Sequence, residues 1–368
     1  MVNPQSFECV HSQRILDGSG VEHLFEICVG DVTESSGTNP IDILAISAGW
    51  GSYHPAKGSV IHRLLERGIS TETAARNKSD DWRHRWQCWL SNPLPISESA
   101  PIRRILCFEH AAANAYPAAV VGNVFRALRE WMLSVPLTEG IASPPDHNIR
   151  LFRLPLLCSG IQGYPDNDML PAIIEQALLQ LESGLSIAKI QLVLRQDEHL
   201  SRRLILCGKV FEQIKQRMLN DATPDRLIKY DFFLSYRRAE HIRIRQIQDE
   251  ITRLRPAIRW FVDEEVLRPG AFWKSELLQA IKGSQRILCM VTDSYSDSDE
   301  CLDEFHAGLC MQLSNKNFVV PVNCLQSRTV AELPLSLRRV QLLNGQIPPQ
   351  SPEDVARKVL SHLAAGSA

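Results

Sequence analysis

Short apolar runs that alternate with helical patterns are the feature that most constrains the fold of this chain. Between the runs, apolar residues recur every three or four positions, as at Ile244, Ile247, Ile251 and Leu254, which predicts helices with one buried face. Strands separated by helices pair in parallel, so the pattern predicts an α/β fold class. Predicted strands cover 25–29, 41–46, 105–108, 151–154 and 190–194 in the first part and 231–235, 259–262, 286–292 and 318–322 in the second.

A polar stretch with a proline divides this pattern in two. The stretch NDATPDRLIK occupies 220–229, and a new strand pattern begins directly after it. A chain of 368 residues exceeds what one hydrophobic core usually supports. We therefore expect one domain at 1–219, a linker at 220–229 and a second domain at 230–368.

Charge and cysteine usage exclude several classes of protein. The chain has 40 Lys+Arg and 42 Asp+Glu, a formal net charge of −2, so no overall field draws it to nucleic acid or a membrane surface. Neither a leader-like start nor an apolar run of spanning length is present, which predicts a cytoplasmic location. The ten cysteines include no C-x-x-C pair and mostly lie in apolar runs, so we expect reduced core thiols without a zinc site or disulfide framework.

Two local clusters allow more than one interpretation. Trp82, Trp86 and Trp89, interleaved with basic residues, resemble a nucleic-acid stacking platform. Their spacing of four and three instead favours one packed face of a helix. The acidic residues at 297–304 could simply suit the positive end of a helix dipole.

The second domain combines a basic strand end with motifs of a known family. Arg237 and Arg238 follow a buried strand, where open α/β sheets collect ligands. The motifs YDFFLSYRR, FVDEEVLRPGAFWKSELLQAI and DSYSDSDECLDE follow in order. Residues 229–364 thereby resemble a bacterial TIR domain, which implies a flavodoxin-like fold with a parallel sheet. Enzymatic members of this family cleave the bond between nicotinamide and ribose in NAD⁺.

The resemblance implies that Glu304 is the catalytic residue. The family places its glutamate in a W-C-x-x-E pattern, and this chain has Glu300-Cys301-Leu302-Asp303-Glu304, with Glu300 at the tryptophan position. Nicotinamide leaves as a neutral group, so a carboxylate near the ribose can stabilise the oxocarbenium-like transition state.

Four further residues are predicted to bind the substrate. Aromatic side chains can stack on its rings, although the core is an alternative place for each of them. A cation can meet its diphosphate, with a plain surface charge as the alternative. The aromatic candidates are Trp273, Tyr236 and Phe232, and the cation is Arg237.

The first domain carries two loop motifs that resemble a macro domain, the fold that binds ADP-ribose. GDVT stands at 30–33, and RLPLLCSGIQGYP stands at 153–165. Small residues after a strand let backbone N–H groups approach a phosphate. The resemblance spans about 20–215 and implies a three-layer α/β/α fold. It assigns adenine to the loop of Asp31 and Val32, and the diphosphate to Ser159, Gly160, Ile161, Gln162, Gly163 and Tyr164.

One departure from the macro pattern bears on activity. Hydrolytic members carry N-A-A-N, whereas this chain has ISAG at 46–49, which predicts a nucleotide reader without hydrolase activity. Asp31 could alternatively cap a turn, and the glycines could serve only chain reversal.

Together the two resemblances imply a conditional NAD⁺ hydrolase of the antiviral type. An ADP-ribose-like nucleotide would activate it through assembly of TIR domains into a homo-oligomer, with NAD⁺ as substrate and no cofactor. Two alternatives stay open: synthesis of a cyclic or conjugated ADP-ribose messenger, and a TIR scaffold without activity.

Overall fold

The computed structural model divides the chain into two compact units, Met1–Ala222 and Thr223–Ala368. Part of the predicted linker, 222–227, lies outside the described residues. No helix in the described part of the chain is long and apolar enough to cross a bilayer. The structure describes residues 7–17, 20–34, 40–96, 101–110, 116–134, 149–160, 162–221, 228–262, 273–312, 317–338, 340–343 and 351–365.

The first unit is built on an eight-stranded sheet of order β1-β2-β8-β7-β3-β6-β5-β4. The five strands from β2 to β6 in that order are parallel, and β1, β5 and β4 are antiparallel additions at the two edges. The carboxyl ends of the parallel strands therefore share one edge. The strands are β1 (Glu8–Leu16), β2 (Glu22–Val29), β3 (Ile41–Gly49), β4 (Lys78–Trp82), β5 (Cys88–Ser91), β6 (Ile102–His110), β7 (Ile149–Pro155) and β8 (Ile187–Leu194).

Helices cover both faces of this sheet. Ile61 and Leu64 of α1 join a core on one face with Leu44 of β3. Phe125 of α4 packs on Phe152 at 5.8 Å between ring centroids on the other face, and α4, α5 and α6 pack side by side. The predicted three-layer arrangement is thus confirmed. The helices are α1 (Val60–Glu66), α2 (Thr71–Arg76), α3 (Arg83–Trp86), α4 (Pro117–Ser134), α5 (Asp166–Glu182) and α6 (Leu200–Asp221).

The second unit has a four-stranded parallel sheet of order β10-β9-β11-β12, as predicted. Ile244 of α7 and Val355 of α11 share one core with the sheet. On the opposite face Gly308 of α9 packs so closely that a Cβ would lie 2.7 Å from Ile287. The elements are β9 (Tyr230–Ser235), α7 (His241–Leu254), β10 (Trp260–Val262), α8 (Trp273–Lys282), β11 (Ser284–Val291), α9 (Asp299–Gln312), β12 (Val319–Asn323), α10 (Leu335–Arg338) and α11 (Pro352–Ala365).

The tryptophan cluster shows where the sequence prediction was wrong. Trp82 ends β4, Trp86 ends the four-residue α3, and Trp89 lies in β5, so the three do not share one helix. Gln87, with a left-handed φ of 58°, ends the short helix and lets the chain reverse into β5. Burial was predicted correctly for Trp86 and Trp89, which are 2% and 0% exposed.

A second correction concerns the end of α7. Ile244, Ile247 and Ile251 are buried as predicted, whereas Leu254 is 41% exposed. Leu254 is the last residue of α7, and at this position the helix no longer packs against the core. The spacing of apolar residues alone does not show where that packing ends.

Candidate functional site

A charged cleft of about 380 Å³ lies beyond the carboxyl ends of β9 and β11 in the second unit. Two arginines of the cleft lie near a cluster of carboxylates, so the cleft can bind an anionic group and a cationic group next to each other. The Arg237 guanidinium also donates a hydrogen bond to the Ser294 carbonyl over 3.5 Å, which holds it against the loop after β11. The lining residues are Arg237, Arg238, Ala239, Asp297, Ser298, Asp299 and Glu300.

Glu304 lies one helical turn beyond this cleft. Helix α9 begins after Ser298, whose Oγ accepts a hydrogen bond from the Cys301 N–H over 3.3 Å, a typical N-terminal cap. Glu300 lines the cleft, and Glu304 lies four residues later on the same face. Its side chain is only 6% exposed. The acidic residues of the first turn are Asp299 and Glu300. Stabilisation of the positive end of the helix dipole therefore explains the presence of these two carboxylates but not that of Glu304.

A buried tyrosine links Glu304's helix to the central strand. The Tyr295 hydroxyl donates to the Cys301 carbonyl over 3.1 Å and lies 2.8 Å from the Ser235 Oγ. Since its single proton goes to Cys301, it accepts from Ser235. Burial, together with the charges of Cys289, Cys301 and Glu304, raises the pKa of Tyr295 well above its usual value. The phenol therefore stays protonated and fixes the first turn of α9 against β9.

Two predicted substrate-binding aromatics lie on the wrong side of the sheet for this role. Phe232 is 3% exposed and packs on Trp260 at 5.1 Å, and Tyr236 packs partly buried against the same core. Successive strand side chains alternate between the two faces, so Ser235, between Leu234 and Tyr236, points to the Tyr295 side instead. Phe232 is thus a core residue, which corrects the prediction.

The other two predictions for this site differ in outcome. Arg237 lines the cleft as described above. Trp273 begins α8, but its side chain lies outside the described part of the structure, as does the preceding segment 263–272. Ser235 and Tyr295 were missed by sequence reasoning, although the two-residue period of β9 could have pointed to Ser235.

Asp293 anchors the loop after β12 to the loop after β11, next to the cleft. Its carboxylate accepts hydrogen bonds from the backbone N–H groups of Gln326, Ser327 and Arg328 over 2.9–3.2 Å and from the Ser327 hydroxyl over 2.7 Å. Burial alone would raise the pKa of Asp293, but these bonds outweigh it and lower the pKa to about 2. The Arg328 guanidinium in turn forms an ion pair with the carboxylate of the cleft residue Asp297 at 3.2 Å.

We expect Asp293→Asn to destabilise the second unit by ~2 kcal/mol at pH 7, because an amide NH₂ would face N–H and O–H donors. The folded-state pKa lies below the ordinary 3.8, so the carboxylate's contribution is present above that value and disappears as the pH falls toward 2. Urea unfolding of wild type and variant at pH 7 and pH 3 tests this. A stability gap that does not narrow at pH 3 would contradict it.

Asp31, the predicted adenine residue of the first unit, lies directly after β2 at the carboxyl edge. Its Oδ1 accepts from the Thr33 backbone N–H over 2.9 Å and from the Thr33 hydroxyl over 2.7 Å. Its Oδ2 faces Arg63 of α1 at 3.9 Å and Arg67, the residue that caps the end of α1, at 3.8 Å. The carboxylate therefore shapes the turn that includes Val32, which is 7% exposed. Both arginines have further carboxylate partners, Glu66 for Arg63 at 2.9 Å and Glu34 for Arg67 at 3.7 Å.

The predicted phosphate loop follows β7 at the same edge. Its backbone closes through a hydrogen bond from the Tyr164 N–H to the Cys158 carbonyl over 3.1 Å. Cys158 and Gly163 adopt left-handed φ values of 56° and 72°, and the Cys158 N–H donates to the Ser47 Oγ over 3.1 Å. Ile161 lies outside the described residues. A compact loop on neighbouring strand ends can present backbone N–H groups to a phosphate.

Side chains of this loop connect to neighbouring elements. The Tyr164 hydroxyl lies 3.1 Å from His110 Nε2 at the end of β6. The Ser159 hydroxyl donates to the Leu156 carbonyl over 3.0 Å, which leaves its oxygen able to accept. Gly160 has open space where a side chain would begin, since no heavy atom of the residues that the structure describes lies within 4 Å of an added Cβ. Gln162 is half-buried.

A buried carboxylate, missed by the sequence analysis, organises the loop after β3. Glu109 is 0% exposed and accepts from the Trp89 indole N–H over 2.7 Å and from the Gly51 N–H over 3.0 Å, as well as from the Tyr53 hydroxyl. Arg83 lies 3.7 Å away. A cleft of about 600 Å³ opens beside it, lined by Gly51, Ser52, Tyr53, His54, Pro55, Glu72, Ala75, Arg76 and Arg83.

We expect Glu109→Gln to cost ~2–3 kcal/mol of stability although it is isosteric, because it leaves a buried donor unpaired. One oxygen accepts from Tyr53 and Trp89 and the other from Gly51, so either orientation of the amide sets its NH₂ against a donor. Chemical unfolding measures the loss, with Glu72→Gln on the exposed surface as the control. Equal stability of the two variants would contradict this role.

Comparison with known proteins identifies a family for part of the second unit. Residues 232–359 match the family model described as TIR domain. Among curated proteins, none matches this chain. The chain is similar to the Oceanobacillus iheyensis macrodomain with MES bound, at 14% identity and a TM-score of 0.39, over 56% of this chain and 98% of that one. It is also similar to the Trypanosoma brucei macrodomain in complex with ADP-ribose, at 14% identity and a TM-score of 0.35, over 52% and 70%. Residues 232–359 are therefore a TIR domain, and an α/β unit with a mixed eight-stranded sheet precedes it in this chain.

Proposed function

We propose that this protein is an NAD⁺ nucleosidase that cleaves NAD⁺ to nicotinamide and ADP-ribose. An ADP-ribose-like nucleotide in the N-terminal unit activates it through assembly of the TIR domains, and depletion of NAD⁺ serves antiviral defence. NAD⁺ is the substrate, and no cofactor takes part. The observation that carries the proposal is Glu304, a buried carboxylate one turn below an arginine-containing cleft at the carboxyl edge of a parallel TIR sheet.

The chemistry requires little more than a positioned carboxylate. When the bond between nicotinamide and ribose breaks, the leaving group departs neutral and positive charge develops on the ribose. A carboxylate in a largely water-free place stabilises that charge strongly, and Glu304 is 6% exposed. Arg237 and Arg238 in the cleft suit the substrate's diphosphate. Water then adds to the ribose to complete hydrolysis.

Support for the nucleotide-binding role comes from two loops at one sheet edge. The turn at Asp31 follows β2, and the small-residue loop ending at Tyr164 follows β7. Open α/β sheets bind ligands outside the carboxyl ends of their strands.

The test combines catalysis and activation in one assay. Purified full-length protein is incubated with NAD⁺, alone and with ADP-ribose analogues, and the products are separated by chromatography while light scattering reports mass. We expect activity to rise by at least ~10-fold with nucleotide, within the usual range of allosteric coupling, together with a gain in mass. High activity of a monomer without nucleotide would overturn the switch. Absence of cleavage under every condition would overturn the enzyme, and a cyclic product would replace hydrolysis with messenger synthesis.

A further inference from the structure

Two cysteines and a glutamate meet at the β1–β2 edge of the first unit, away from both loops described above. Cys9 of β1 and Cys28 of β2 lie directly opposite each other in the antiparallel pair. Glu26 lies two residues before Cys28 and so on the same face of β2. The two sulfur atoms and a carboxylate oxygen of Glu26 all lie within 4.8 Å of one another.

The surroundings of these ligands match those of a metal centre. Glu26 accepts hydrogen bonds from Lys189 over 3.1 Å and from the Gln191 amide over 2.7 Å, so its carboxylate is held in place. Such outer contacts orient metal ligands in known sites. Cys9 is exposed and Cys28 is buried, which gives an ion an entry path at one end and a closed wall at the other.

A buried arginine makes negative charge at this place favourable. Arg153 is 1% exposed, and its hydrogen bonds go to neutral oxygens, the Gln191 amide and the backbone carbonyls of Val32 and Glu34. Burial lowers the pKa of Arg153 to about 10, so it is still a cation at neutral pH. Two thiolates and one carboxylate around a divalent ion leave one net negative charge, which the positive charges of Arg153 and Lys189 more than offset.

We propose that Cys9, Cys28 and Glu26 bind a thiophilic divalent cation such as Zn²⁺, with water as a fourth ligand. Tetrahedral coordination with metal–sulfur bonds of ~2.3 Å and metal–oxygen bonds of ~2.0 Å puts the donor atoms roughly 3.5–4 Å apart, so small side-chain shifts suffice. Thiolate ligands select zinc-like ions over Mg²⁺ or Ca²⁺. The ion ties the edge strand β1 to β2, close to where β2 delivers Asp31.

Binding releases protons from both thiols. Since the metal binds thiolates, its apparent affinity rises with pH, by about tenfold per unit for each proton released.

Cobalt titration of the full-length protein, reduced and treated with a chelator, tests the site. We expect one Co²⁺ per chain, a thiolate-to-cobalt charge-transfer band that Zn²⁺ removes, and a higher melting temperature with Zn²⁺. Cys9→Ser should lose the band and at least ~100-fold in affinity, since loss of outer contacts alone costs 10–100-fold. Cys9 is exposed, so this variant should fold even if Cys28→Ser does not. Cys207→Ser, on α6 and 3% exposed, is the control for loss of a buried thiol and should keep the band and the cobalt affinity of wild type.

Two results would overturn the proposal. One is a band that survives in Cys9→Ser, because the cobalt would then lie elsewhere. The other is reduced wild-type protein that binds no cobalt. If mild oxidation of such protein links Cys9 to Cys28 in peptide mapping, the pair is a disulfide-forming one and no metal site.

Discussion

Glu304→Gln is expected to reduce NAD⁺ cleavage by at least ~100-fold, the loss that follows removal of one preorganised electrostatic group from an active site. Glutamine keeps the size of the side chain in its 6% exposed position but cannot stabilise positive charge on the ribose. Substrate binding through the arginines of the cleft is untouched, so kcat should fall while KM stays nearly constant. Steady-state kinetics under activating conditions, with release of nicotinamide as the signal, measures the effect.

Glu300→Gln is the matched control, because it removes the same charge one turn earlier on the same helix. Glu300 is exposed and belongs to the first turn of α9, where loss of an acidic residue costs only ~0.3–1 kcal/mol of stability. Since Glu300 lines the cleft, its loss can change KM, but kcat should stay within a few-fold of wild type. Equal losses of kcat in both variants would mean that the acidic cluster serves the helix terminus and that Glu304 has no chemical role. Melting temperatures show whether either variant misfolds.

The order of strands and helices could be read from the sequence because it depends on local periodicity. Each predicted strand is present, and the structure mostly extends it by a few residues, as from 25–29 to Glu22–Val29. The strands that were missed are β1 and β4, which form the two edges of the sheet, and β5, which pairs antiparallel with β4 and β6. Residues of β1 and β4 are largely exposed or half-buried, so these strands lack the apolar run by which a central parallel strand is found.

Prediction of the site residues failed where it depended on which face of the sheet a side chain occupies, because spacing along the sequence does not give that face. Arg237, predicted from its place after a buried strand, lines the cleft, whereas Glu304, predicted from a motif, lies four residues beyond the cleft residue Glu300 in α9. Phe232 was misassigned because strand sequence does not say which of its two faces meets the site. Contacts between distant segments are likewise invisible in spacing: Cys9 and Cys28 meet only through strand pairing, and Glu109 through the loop at Gly51.

Gly160→Leu is expected to abolish activation by nucleotide at concentrations that saturate the wild type. An added Cβ at Gly160 meets no heavy atom of the described residues within 4 Å, so the loop has space where a side chain would begin. A leucine side chain at this position would collide with a diphosphate bound by the loop. An overpacked contact of ~3 kcal/mol weakens binding by roughly 100-fold. Calorimetric titration with ADP-ribose measures the affinity, and the NAD⁺ assay measures activation in the same samples.

Gly208→Leu separates this effect from a general consequence of adding leucine. Gly208 lies in α6 and also has open space around an added Cβ, and leucine is a good helix former. Its binding and activation should equal those of wild type. If Gly160→Leu binds ADP-ribose as tightly as Gly208→Leu, the loop does not hold the nucleotide. If it binds weakly yet cleaves NAD⁺ at the full rate, the nucleotide does not control the TIR domain, and the N-terminal unit then binds without acting as a switch.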